Sequence, residues 1–563
     1  MPSGSSNPSR WWIAAGGAFG LLAAFGLRTL ALSAGGPRVS DAFVNAVALG
    51  VATAALGVSF LARPGWRGRK SRAGRSMSLA GGMLATLSVA AWLGLGNDVI
   101  RYHTWEHFHY YLGAKYFREL SYLRLYACTA VAEAERVEPA AMQGRRMRDL
   151  ATDRIVSVDV ALANPDACHG RFTPERWQAF GDDVMWFRGA TGSMWDRMQQ
   201  DHGFNPPPTW ALAGGLLAAV GPASEWTQSS LALVDPVLLT GMLGLVGWAF
   251  GAHVLLVAIV VWGCQMPGQA TWTAAAFLRD DWLLFVVAAV CLARRGWPMG
   301  AGIALASAAA IRVFPVFLLG LPLLVIVRRS GQRGRLGRFD GRFLAGVAIA
   351  TLAWFGASSA AYGFDAWAAF RDHMMVHRLA PLANHVGLRA LLSQSWEGRW
   401  ALVMQPRAID PFAVWASMRR ATFAEHQAVY LVLAVAMTGV VGRAGWRLRR
   451  VWSAMAASSV LVLIAVDVAS YYCAFFIVLG LLAAARRSEE RLALAAIVVG
   501  RAANLLPIAT ANADYRYIVQ SVVFVVWALA AVVLLAWRPG WGRTRAAVAA
   551  PITRAHRRRE VGG

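Results

Sequence analysis

The sequence predicts an all-α fold, a polytopic helical membrane protein, and three observations carry that reading. Of its 563 residues 57% are hydrophobic and only 15% are charged. Apolar runs approaching about 20 residues, the length that crosses a bilayer, recur from end to end. The Lys and Arg residues fall in short blocks between those runs, as they do in cytoplasmic loops. A closed barrel would need alternating strands of about ten residues, and none is present. The formal charge of +24 would suggest nucleic-acid binding in a soluble chain. Distributed in these blocks it is a topology signal, so the partner it implies is a lipid bilayer and not nucleic acid.

The basic blocks set the order of the elements. Residues 1–97 form an N-terminal region of three spans, at 11–33, 42–62 and 77–96, with Arg28 snorkelling from the first. Between the second and third lies RPGWRGRKSRAGR, 63–75, the first strong cytoplasmic marker. Residues 98–230 are then an exported loop domain. It closes on NPPPTWALAGGLLAAVGP, whose apolar part is too short to span and is bracketed by prolines, so it is expected as a hairpin in the outer interface.

The central membrane core, 231–361, contains AGIALASAAAIRVFPVFLLGLPLLVIV with Arg on both flanks. One traverse would put one flank on the wrong side. Two short helices meeting at Arg312–Pro315 satisfy the charge rule, with Arg312 at an outward tip. An outer segment follows over 362–426, then C-terminal spans over 427–537 and a basic tail over 538–563. The sum is about 14 crossings, counting the short hairpin pair, with both termini cytoplasmic. Of the five cysteines, Cys128 and Cys168 fall in the exported domain and are expected to pair, two free thiols being the alternative.

The candidate chemistry collects on one side of this topology. NDVIRYHTWEHFHYYLGAKYFRELSYLRLY packs Asp98 and Glu106 among His103, His107, His109, Tyr110 and further aromatics, just after a span ends. A carboxylate there can act on something held at the lipid surface; the alternative is an interfacial aromatic belt with solvated charges. Arg279, Asp280 and Asp281 lie in an outer loop, Arg312 at the hairpin tip, and Asp467 at the end of an outgoing span. Ionisable groups at membrane depth are costly unless paired or functional. Arg312 is either a partner of Asp280, Asp281 or Asp467, or the holder of a phosphate, for which its fork is suited.

These pieces, in their order from about 98 to 485, resemble the GT-C membrane glycosyltransferases, in particular glycosyltransferase family 87. EHFHYYLGAKYFRELSYLRLY is similar to that family's acidic, aromatic-rich first outer loop ending in Leu-Tyr. The Pro-Pro stretch before a hairpin, the small-residue helix ending in AGIALASAAAIRVFP, the Trp of GFDAWAAFRDHM, Asn384 in NHVGLRALL, and VDVASYYC each resemble a family element. Glu106 stands where the family pattern has Asp, and Arg312 where it commonly has Lys. The resemblance implies transfer of a sugar (mannose-like hexose or pentose) from a polyprenyl-phosphate donor to a glycan, lipid or protein acceptor, with inversion.

Under that reading Glu106 is the base, Asp98 its runner-up, and Arg312 the phosphate holder. Arg279, Tyr110, Asp281, Asn384 and Asp467 are binding residues. His109 either orients Glu106, touches the sugar, or is a satisfied polar residue. No cofactor and no metal are expected, because the spacing of Glu106 with His103, His107 or His109 matches no closed ligand set. Two rivals stand beside it: a secondary transporter, which should show repeated halves with interrupted helices, and a relative of the same fold without turnover.

Overall fold

The computed structural model describes residues 39–61, 72–97 and 100–537. The expected first span, most of the basic block at 63–75, Asp98 and the C-terminal tail lie outside them. The described chain is mostly helical, with two antiparallel two-stranded ladders, Arg146–Asp149 with Arg154–Ser157 and His385–Val386 with Val468–Ala469.

Among the described residues six helices are long and apolar enough to cross a membrane: Asp41–Leu61, Glu225–Phe250, Phe314–Arg333, Arg338–Tyr362, Gln427–Gly445 and Ala513–Trp537. Shorter apolar helices accompany them, among them Ala252–Cys264, Pro298–Ile311 and Val451–Ala465. The last is interrupted at Ser458, whose hydroxyl donates back to Ala454 O at 2.9 Å and accepts from Leu321 N at 3.0 Å. Helix Asp281–Arg295 ends as its sequence directs. Arg294 and Arg295 occupy its last turn, where they complement the helix dipole, and Gly296 follows in the left-handed region at φ 82°.

Two helices approach with their backbones nearly in contact. A Cβ on Gly302 would lie 2.1 Å from Phe343 O, and one on Gly346 would lie 2.2 Å from Met299 O. Only glycine at both positions permits this crossing of Pro298–Ile311 over Arg338–Tyr362. The first of these helices stops at Ile311, Arg312 takes extended backbone at φ −142°, and a tight 3₁₀ stretch over Phe314–Leu319 leads into Gly320–Arg333. The break lies where Pro315 forbids a continued helix.

Residues 100–224, between helices Arg72–Trp92 and Glu225–Ala232 in the chain, are mostly short helices with one two-stranded ladder, and their buried side chains share one core with the long helices. A disulfide joins Cys128 to Cys168 with 5.5 Å between their Cα atoms. Pro174–Thr191 is capped by Thr173, which accepts from Arg176 N at 3.3 Å. Asp183, buried in that helix, accepts from Lys115 Nζ at 2.7 Å, Tyr116 OH at 2.8 Å and Ala223 N at 2.6 Å. That carboxylate ties three segments together and is spent on structure. The stretch expected as a short hairpin is instead one helix over Pro208–Ala218 and a turn; the next helix, capped by Ser224 at 3.2 Å from Thr227 N, opens the span-length run Glu225–Phe250.

Candidate functional site

The site is built where four chain segments meet. The first is the helical run Thr104–Lys115, which widens into a π-type turn over Phe108–Leu112. Such a turn re-aims the side chains it carries and recurs at functional sites. His103 caps its start, its Nδ1 accepting from Glu106 N at 3.3 Å. Burial and the nearby Arg279 charge push the His103 pKa down to about 4, which agrees with a bare nitrogen at that atom.

The second segment is the loop before helix Asp281–Arg295. Asp235 holds it in place, its carboxylate accepting from Arg279 N at 2.8 and 2.9 Å and from Asp280 N at 3.0 Å. Leu278 just before adopts φ 49°, a conformation that side chains rarely take. The third segment is Pro208–Trp210. Thr209 donates its hydroxyl to Ala310 O, and Trp210 donates its indole N–H to Leu278 O at 3.2 Å. The fourth is the broken helix end at Arg312.

These segments bring together Glu106, Tyr110, Arg279, Asp281 and Arg312. Glu106 forms an ion pair with Arg279, Oε2 to Nε at 3.1 Å, with the two side chains 15% and 3% exposed. Arg279 also donates to Tyr110 OH. Its guanidinium lies over the rings of Tyr110 at 4.5 Å and Tyr471 at 4.6 Å. Arg312 lies 5.6 Å from the centre of the same Tyr110 ring and 5.4 Å from that of Trp210. One phenol ring therefore has two guanidiniums close to it, an arrangement favoured by its negative face.

The two arginines are differently occupied. Arg312 is only 5% exposed and donates from Nη1 to its neighbour's carbonyl, Ile311 O, at 3.2 Å. Its Nε and Nη2 are buried without a hydrogen-bond partner, and among the described residues it makes no ion pair. The carboxylates of Asp281 and Asp280 are close enough to feel its charge but make no hydrogen bond to it, so its unmet N–H groups suit an incoming anion. Burial raises the Glu106 pKa above the usual carboxylate range, against the opposing pull of Arg279. Burial raises that of Asp280 as well, with Arg279 opposing and Asp281 adding to it. A carboxylate poised in this way accepts a proton more readily than one in water.

His109 is next to this cluster but turned from it. Its Nδ1 bonds to Trp105 O at 2.7 Å and its Nε2 to Tyr126 OH at 2.6 Å, and that phenol oxygen accepts from Gly203 N at 2.9 Å. Both ring nitrogens are therefore taken. Asp467 and Asn384 belong to a neighbouring cluster. Asp467 accepts from Ala390 N at 2.9 Å and lies 3.9 Å from Arg389 Nε, and the Asn384 carbonyl accepts from Ser470 N at 2.9 Å. The ladder there leads directly into Tyr471 and Tyr472, so it positions the rings that flank Arg279. Among the described residues no three His, Cys, Asp or Glu side chains converge as a metal set.

Asp235, Trp210 and Tyr471 are site residues that the sequence reading passes over. Asp235 carries a usable signal, a lone carboxylate opening an apolar run; Trp210 and Tyr471 carry none beyond being aromatic. Fold and site together define a helical membrane protein with a buried acid–base cluster beside its large loop. Comparison with family models, with curated proteins and with solved structures finds no match to this chain.

Proposed function

We propose that this protein is a membrane glycosyltransferase that moves a sugar from a polyprenyl-phosphate donor to an acceptor at the outer face of the cytoplasmic membrane. The observation that carries the reading is the pairing of a buried carboxylate, Glu106, with a buried guanidinium, Arg312, that has two unpartnered nitrogens, around one tyrosine ring. Glu106 takes the acceptor hydroxyl's proton as its oxygen attacks the anomeric carbon. The C–O bond to phosphate breaks on the opposite face, and the phosphate leaves with the electron pair. Arg312 holds that phosphate and stabilises the charge it gains. Arg279 opposes the protonation that burial favours and holds Glu106 in place. A single displacement of this geometry inverts the anomeric centre.

In this reading the termini are cytoplasmic and Glu106 and Arg312 face outside. Membrane-impermeant thiol labelling of single-cysteine variants tests that: exposed position 166 in the large loop reacts from outside, and position 333 from the cytoplasm. Activity is tested with the purified protein in lipid and polyprenyl-phosphate sugars, following donor binding and sugar transfer separately. Absence of both binding and transfer across hexose and pentose donors would remove the assignment.

A further inference from the structure

A cavity of about 790 Å³ adjoins the Glu106 cluster, with His103, which caps the Glu106 helix, and Ala274 in its lining. The rest of its wall comes from the ends of helices Asp41–Leu61, Arg487–Ala503 and Ala513–Trp537, the loop Met266–Trp272 and neighbouring turns, with apolar Val44, Ile100 and Leu505 among the lining side chains.

Two guanidiniums line this cavity, and no carboxylate among the described residues forms an ion pair with either. Arg501 is 1% exposed. It donates to Cys264 O at 2.5 Å, Gln265 O at 3.0 Å and Asn45 Oδ1 at 3.4 Å. Gln269, taken with its amide oxygen inward, accepts from both terminal nitrogens at 3.1 Å. Every one of those acceptors is neutral, and together they take all five of its N–H groups, so Arg501 gives the cavity an uncancelled charge and no free donor. Arg516 is half-buried, and its Nε is enclosed without a partner. Asn504 adds a side-chain amide, and Asp41, itself exposed, is the one acid in the described lining.

We infer that this cavity is a second anion site, which takes a phosphate group carried on an amphiphile. Arg516, with an Nε that has no partner, can bond a phosphate headgroup, and the uncancelled charge of Arg501 beside it adds to the attraction. The apolar lining and the flanking helices, two of them long and apolar enough to cross a membrane, suit acyl or prenyl chains. The inference does not rest on Glu106 acting as a base, and its readout is binding alone.

The test uses the full chain in nanodiscs of phosphatidylcholine doped with phosphatidylglycerol, with native mass spectrometry of the lipid that stays bound. A parallel thermal titration uses inorganic phosphate. The wild type is expected to retain one phosphatidylglycerol that phosphatidylcholine does not replace. Arg516→Ala and Arg501→Gln should each weaken that retention about tenfold or more. Arg516 is only half-buried, so its variant decides the matter if Arg501→Gln does not fold. Protection by inorganic phosphate alone, lost in Arg516→Ala, would keep the anion site and assign it to a soluble phosphate. Equal retention in wild type and Arg516→Ala, or no preference for phosphatidylglycerol together with no protection by phosphate, would overturn the proposal.

Discussion

Glu106 Oε2 lies 3.1 Å from Arg279 Nε, so the candidate base is held by a cation that reaches it from a different loop. Arg279 favours the charged carboxylate while burial disfavours it, and burial is the larger effect. The carboxylate is therefore expected to take up its proton above the usual carboxylate range. Transfer should fall as pH drops through that raised value, because the protonated form cannot act as a base. Arg279→Gln removes the opposing charge, so the acid limb of the pH–rate profile should move to still higher pH.

Glu106→Gln keeps size and cannot accept the acceptor's proton. Transfer should fall by roughly two to four powers of ten, the usual worth of a general base, with donor binding little changed. Full transfer in this variant would remove Glu106 from the role.

Arg312→Ala should weaken donor binding as well as turnover, since the phosphate is already bound in the ground state. Arg312→Lys should retain part of both, as a point charge without the planar fork. Normal donor affinity in Arg312→Ala, measured by titration, would return Arg312 to a structural role.

Gly302→Ala should lower stability by about 1–3 kcal/mol and weaken donor binding, because its Cβ would meet Phe343 O at 2.1 Å and push away the helix that ends at Arg312. Gly300→Ala is the control: its nearest neighbour is a Leu292 methyl at 3.4 Å, an ordinary contact. Thermal inactivation of the two variants compares them directly.

Removing the Cys128–Cys168 bridge opens a loop with a sequence separation of 40. Loop-closure entropy values such a bridge at about 4 kcal/mol. Cys128→Ser with Cys168→Ser should lower the melting temperature of the protein, and a reductant should do the same to the wild type alone.

The helical membrane architecture is legible in the sequence because it rests on run length and on charged blocks, both local properties. The break at Arg312 is legible for the same reason, since Pro315 acts on its own helix. Glu106, Arg279 and Arg312 can each be singled out as charges in apolar or aromatic surroundings. Their meeting around Tyr110 cannot, because no periodicity records which loop closes on which. His109 shows the converse: close to Glu106 in sequence, it spends both nitrogens on Trp105 and Tyr126.

The grip of Asp235 on the backbone of Arg279 and Asp280 has a consequence for biogenesis. The ribosome delivers helix Val234–Phe250 before the loop that will satisfy its carboxylate exists. Until that loop arrives, the acid has only the first turn of its own helix beside it. The nascent chain therefore completes this corner by threading a late segment onto an early one, and changing Asp235 would be felt first in the yield of correctly assembled protein.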